Sequence, residues 1–129
     1  MRTIVRAVAA LALAGGLTLT SLAPAAAAPK VLDAYCSPSG DYCTMIVRKA
    51  DGTISFRIRA FANYFGKATA CVRKETRVCR DRRPRRHDGL FDWSIRWQGN
   101  FPKEGPGRYT VRWLDGDLRI GPALHFRRR

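Results

Sequence analysis

The chemistry this chain can do is concentrated in its arginines. Eight basic residues fall between Arg73 and Arg86 (RKETRVCRDRRPRR), opposed only by Glu75 and Asp81. A guanidinium is planar and permanently charged, so it suits two-pronged contacts to carboxylate, phosphate or sulfate. Arg80, Arg82, Arg83, Arg85 and Arg86 are therefore the expected anion-binding residues. The Arg82–Arg86 portion has no apolar side chain to bury, which predicts a solvated loop between strands. A plainer reading stands beside this one: a charge run kept in water by its own repulsion. Arg57, Arg59, Arg96, Arg112 and Arg119 occupy polar positions of apolar-polar alternations elsewhere. If they share one sheet face with the loop, the result is a broad positive surface.

The four cysteines offer either redox or structural chemistry. Cys36 and Cys43 form a C-x6-C pair, and Cys71 and Cys79 a C-x7-C pair. Structural zinc sites use tighter pairs whose thiolates converge on one ion, so this spacing argues for two disulfides and against a metal. Four cysteines allow three pairings, and sequence alone leaves all three open. The turn-rich connector Ser37–Tyr42 and the short Arg73–Arg77 segment favour Cys36 with Cys43 and Cys71 with Cys79.

Catalytic groups are sparse. The two histidines are His87, beside the arginine run, and His125, on the polar parity of the last apolar segment. No nucleophile–His–acid spacing, phosphate-cradling glycine loop or paired carboxylate appears, so no enzymatic role and no cofactor are expected. The arginine run has no interleaved aromatic for base stacking, which argues against nucleic acid as a partner. Anionic polysaccharides or cell-envelope polymers are the expected partners. The alternative is an extracellular protein, bound as a protease inhibitor binds, by a loop that a disulfide holds rigid. Its anchors would be Tyr35 and Tyr42 around the first bridge, or Arg73, Lys74 and Arg77 within the second.

The elements that position these groups follow from period-two hydrophobicity. Thr53–Ala60 (TISFRIRA) sets Ile54, Phe56 and Ile58 against Ser55, Arg57 and Arg59. Leu90–Trp97 sets Phe91, Trp93, Ile95 and Trp97 against polar residues, and Arg108–Trp113 does the same with Tyr109, Val111 and Trp113. Such alternation describes half-buried strands. Further strands are expected over 43–49, 68–73, 77–82 and 117–127, the last bent at Gly121-Pro122. Asp51-Gly52 and Asp115-Gly116 are hairpin signals. For Ala60–Phe65 the pattern makes no firm choice. All three tryptophans lie on inward parity and read as core.

Residues 1–28 read as a secretory signal peptide, with Arg2 and Arg6 before an apolar run and small residues (AAAA) at its exit. Cleavage is expected between Ala25 and Pro29. No cysteine ends the apolar run, and Arg2 and Arg6 are not adjacent, so neither a lipid anchor nor twin-arginine export is expected. The apolar run is short of the roughly 20 residues of a bilayer span, so no membrane span is expected after cleavage. The mature chain, 29–129, is expected to be one secreted, extracellular domain in which 22 Lys and Arg face 10 Asp and Glu, a formal +12.

The order of elements resembles the immunoglobulin-like sandwiches of small exported actinobacterial proteins. YCSPSGDYC, WSIRW followed by Asn100-Phe101-Pro102, and Gly107–Trp113 leading to Gly121-Pro122-Ala123-Leu124 carry the resemblance, which covers most of the mature chain. It implies an all-β fold, an antiparallel immunoglobulin-like sandwich of about seven strands with two disulfides, and export. It implies no particular activity. The cysteine spacing departs from the long-range bridge of antibody domains.

Overall fold

A computed structural model describes residues 28–129; the leader expected over 1–28 lies outside them except for Ala28. The described residues form ten β-strands and no helix. In chain order they are β1 (Lys30–Cys36), β2 (Tyr42–Arg48), β3 (Ile54–Ala60), β4 (Ala68–Arg73) and β5 (Arg77–Arg82). The remainder are β6 (Arg85–His87), β7 (Leu90–Arg96), β8 (Gly107–Asp115), β9 (Leu118–Arg119) and β10 (Leu124–Arg128). All pairings are antiparallel. The first sheet runs β1-β2-β3-β7-β6, and the second β10-β8-β4-β5 with β9 added beside β8.

The surplus over about seven strands has three physical sources. A register shift between Val31 and Asp33 breaks the alternation of β1, so no period-two signal announces it. Pro84, which has no backbone N–H, separates β5 from the short β6. Gly121-Pro122 divides the last segment into β9 and β10, and Leu118 is 73% exposed instead of joining the core with Ile120, Leu124 and Phe126. The undecided Ala60–Phe65 segment ends β3 and begins an irregular crossing between the sheets.

Between the sheets, the inward sets of β3 and β7 meet those of β4, β8 and β10. Ile58, Trp93 and Trp97 are buried with Val72, Tyr109 and Val111. The Tyr109 ring stacks on Phe126 (centroids 5.0 Å, 11° between planes), with Trp97 edge-on to both. Each large aromatic here removes on the order of 150–250 Å² from water, so this cluster dominates the association of the two sheets. Trp93 Nε1 donates to Gly66 O (2.7 Å), fixing the β3–β4 crossing to the core. Asp33 Oδ2 accepts the backbone N–H of His125 (2.8 Å) and ties β1 of the first sheet to β10 of the second.

Both disulfides take the local pairing. Cys36–Cys43 links β1 to β2 and Cys71–Cys79 links β4 to β5, each joining residues directly opposite in the ladder, with Cα atoms 4.0 Å apart.

Candidate anion-binding surface

The arginine run is not the solvated loop the sequence suggests. Arg80 and Arg82 belong to β5, Arg85 and Arg86 to β6, and only Arg83-Pro84 connects them. Backbone pairing to β7 holds β6 in the ladder although its side chains are exposed, and exposed charged side chains are normal on an edge strand. The five expected site residues consequently diverge. Arg80 Nε donates to Asn100 O (3.0 Å). Arg86 lies over the Phe91 ring (5.3 Å to the centroid). Arg82, Arg83 and Arg85 stay together and line a small cavity of about 170 Å³ with Asp92 and Ser94.

The outward arginines also divide, because the two sheets turn their outer faces to opposite sides of the sandwich. Arg57, Arg59 and Arg96 belong to the first sheet, Arg112 and Arg119 to the second. On the first sheet a carboxylate sits among them: the buried Asp92 pairs with Arg57 and lies 3.7 Å from Arg59 Nε.

A second set of cations lies on the outer face of the second sheet. A groove of about 770 Å³ there is lined by Arg73, Lys74, Arg77, Arg108, Arg112 and Arg119, with Asp117 its one acid. Strand alternation puts them there. With Tyr109, Val111 and Trp113 committed to the core, Arg108, Thr110 and Arg112 of β8 must face outward. On β4 the inward Ala70 and Val72 leave Cys71 and Arg73 outside. The register then sets Arg77, Arg73, Thr110 and His125 in one row across four strands, with Cys79, Cys71 and Arg112 in the next.

Arg73 and Arg77 are directly opposed, an arrangement of like charges that disfavours the fold in the absence of a counter-charge. Among the described residues, Lys74 is the only one of these six cations with a carboxylate at ion-pair distance (Glu75, 3.6 Å). Arg77 Nη2 lies 3.5 Å from Cys71 Sγ, and Thr110 Oγ1 is 3.2 Å from His125 Nδ1.

A clamp from outside the sheet holds this hairpin. The Glu104 carboxylate, on the β7–β8 connection, accepts the backbone N–H groups of Glu75 (2.7 Å) and Thr76 (3.1 Å) and the Thr76 hydroxyl. These bonds, the Thr76 hydroxyl first, hold the Glu104 carboxyl below the ordinary glutamate range. Glu104 thereby fixes the turn between Arg73 and Arg77 from the side opposite the bridge.

Other candidate groups are placed apart from the groove. His87 pairs with Asp88 (3.2 Å) on an exposed turn. Tyr35 and Tyr42, expected as anchors beside the first bridge, pack against the core cluster, and desolvation raises the Tyr42 phenol above its ordinary value. All four cysteines are bridged, and no cluster of three or more metal-ligating side chains occurs among the described residues.

No protein-family model, curated protein or solved structure matches this chain.

Proposed function

We propose that this chain is a secreted, immunoglobulin-like module that binds anionic extracellular polymers along the outer face of its second sheet. The observation that carries the reading is the directly opposed Arg73–Arg77 pair, set in a groove of arginines with no carboxylate partners among the described residues. A bound anion would neutralise both members at once, so the repulsion within the pair becomes a driving force for binding.

Support for the immunoglobulin-like part comes from strand order. If β1 is set aside as an addition, β2-β3-β7-β6 and β10-β8-β4-β5 correspond to the A-B-E-D and G-F-C-C′ orders of that architecture. The Tyr109 hydroxyl donates to Gly105 O (2.7 Å) and accepts Glu104 N–H (3.0 Å), much as a tyrosine corner does at the start of strand F. Support for export comes from the leader-like residues 1–28 and from two disulfides, which persist in oxidising compartments. No helix among the described residues is long and apolar enough to cross a membrane.

The test is retention of the mature protein on an immobilised anionic polysaccharide at physiological salt. Replacing Arg73, Arg77 and Arg112 by alanine is expected to abolish retention, whereas replacing Arg82, Arg83, Arg85 and Arg86 leaves most of it. The reverse pattern would move the site to the β5–β6 junction and refute the groove.

A further inference from the structure

We infer that the groove selects sulfate esters, so that its ligand is a sulfated polysaccharide and not a carboxylated or phosphodiester-linked polymer. This inference rests on the groove being the binding site.

The central seat is built from two guanidinium forks on adjacent strands, Arg73 on β4 and Arg77 on β5, whose Cβ atoms stand about 5 Å apart as directly opposed residues do. Thr110 supplies a hydroxyl on the far side of Arg73 in the same row. One anionic group must therefore satisfy donors arriving from at least two directions. A carboxylate presents two oxygens in one plane and is matched by a single fork. An internal phosphodiester also has only two unesterified oxygens. A sulfate ester has three, arranged as a tripod, so two forks can each take an edge of it while sharing one oxygen. It carries a single negative charge, which leaves the pair net positive and the flanking arginines free for neighbouring groups.

Those flanking positions are spaced to receive them. Arg108 and Arg112 lie two residues either side of Thr110 on β8, hence roughly 7 Å along the strand in each direction. A chain laid along β8 passes Arg108, the Arg73–Arg77–Thr110 seat and Arg112 in succession. The Cys71–Cys79 bridge, one row from the pair on the same face, and the Glu104 clamp at the turn keep the backbone of Arg73 and Arg77 in register. The strands that carry the two forks are thus held before ligand arrives, which lowers the entropic cost of binding.

The experiment compares three polymers at 0.15 M salt: dextran sulfate, carboxymethyl dextran of equal substitution, and a single-stranded oligodeoxynucleotide. The first two share a backbone and differ in the anion. Dextran sulfate is expected to bind about tenfold or more tightly than either of the others, the worth of one additional charge-assisted hydrogen bond. In the R73K/R77K variant, which keeps the charge and loses the forks, the preference is expected to disappear at an unchanged melting temperature. Equal binding of all three polymers, or a preference that survives R73K/R77K, overturns the sulfate assignment; if R73A/R77A/R112A still abolishes binding, the groove stands. Binding indifferent to R73A/R77A/R112A overturns both.

Discussion

Binding in the groove has a salt dependence that can be worked out beforehand. Five arginines without acidic partners line it: Arg73, Arg77, Arg108, Arg112 and Arg119. If Arg73 and Arg77 share one anionic group and Arg108, Arg112 and Arg119 meet one each, and each group displaces about 0.7 of a condensed counter-ion, as on a single-stranded polyanion, log K falls against log salt with a slope of about −2.8. Raising salt from about 0.05 to 0.2 M then weakens binding by roughly fiftyfold. Substituting Arg73 and Arg77 by alanine leaves three contacts, a slope of about −2.1 and a loss of roughly twentyfold over the same range. Removing Arg82, Arg83, Arg85 and Arg86 leaves the slope unchanged, because those residues lie outside the groove. Fluorescence anisotropy of an end-labelled sulfated oligosaccharide across a salt series measures all three slopes. A wild-type slope shallower than about −1, or one that R73A/R77A fails to reduce, would refute the contact assignment.

Three further predictions concern the frame around the groove. Because hydrogen bonds lower the folded-state pKa of Glu104, its contribution is present above the ordinary glutamate value and lost as pH falls through the folded value. Amide exchange at Glu75 and Thr76, corrected for intrinsic rates and followed by NMR, is therefore expected to speed up over that acid range, and E104Q should show the loosened hairpin already at neutral pH. Tyr109→Phe removes the bonds to Gly105 O and Glu104 N–H and is expected to cost about 1–3 kcal/mol in urea unfolding, with no change in the Trp97 and Phe126 packing. Gly121 has φ +70°, and a Cβ there would stand 2.9 Å from the Tyr35 ring. Gly121→Ala should consequently cost about 1–2 kcal/mol of stability from the backbone alone and lower the melting temperature, and a neutral result would contradict this geometry.

Much of the sandwich was readable because its core faces alternate strictly. The inward sets of β3, β7 and β8 follow from TISFRIRA, LFDWSIRW and RYTVRW, and the tryptophans fall where that parity puts them. The central pair of the groove was also within reach. Once Cys71 bridges Cys79 across a hairpin, the residues two further toward the turn, Arg73 and Arg77, must face each other on the same side. What periodicity does not carry is the assignment of strands to sheets. Arg57 and Arg112 look alike in sequence, yet one lies against Asp92, 35 residues away, and the other lines the groove on the opposite side of the molecule. The Arg82–Arg86 segment misled for a related reason: it has no apolar alternation, and the backbone pairing that makes β6 a strand leaves no trace in polarity.

The cysteines pair in the order in which they occur, first with second and third with fourth. A chain that enters an oxidising space from its N-terminus meets each correct partner after only 7 or 8 residues, before the next cysteine pair has emerged. On the secreted reading proposed above, vectorial emergence thus favours native pairing kinetically. Refolding the reduced full-length domain all at once forfeits that advantage, since all three pairings then compete.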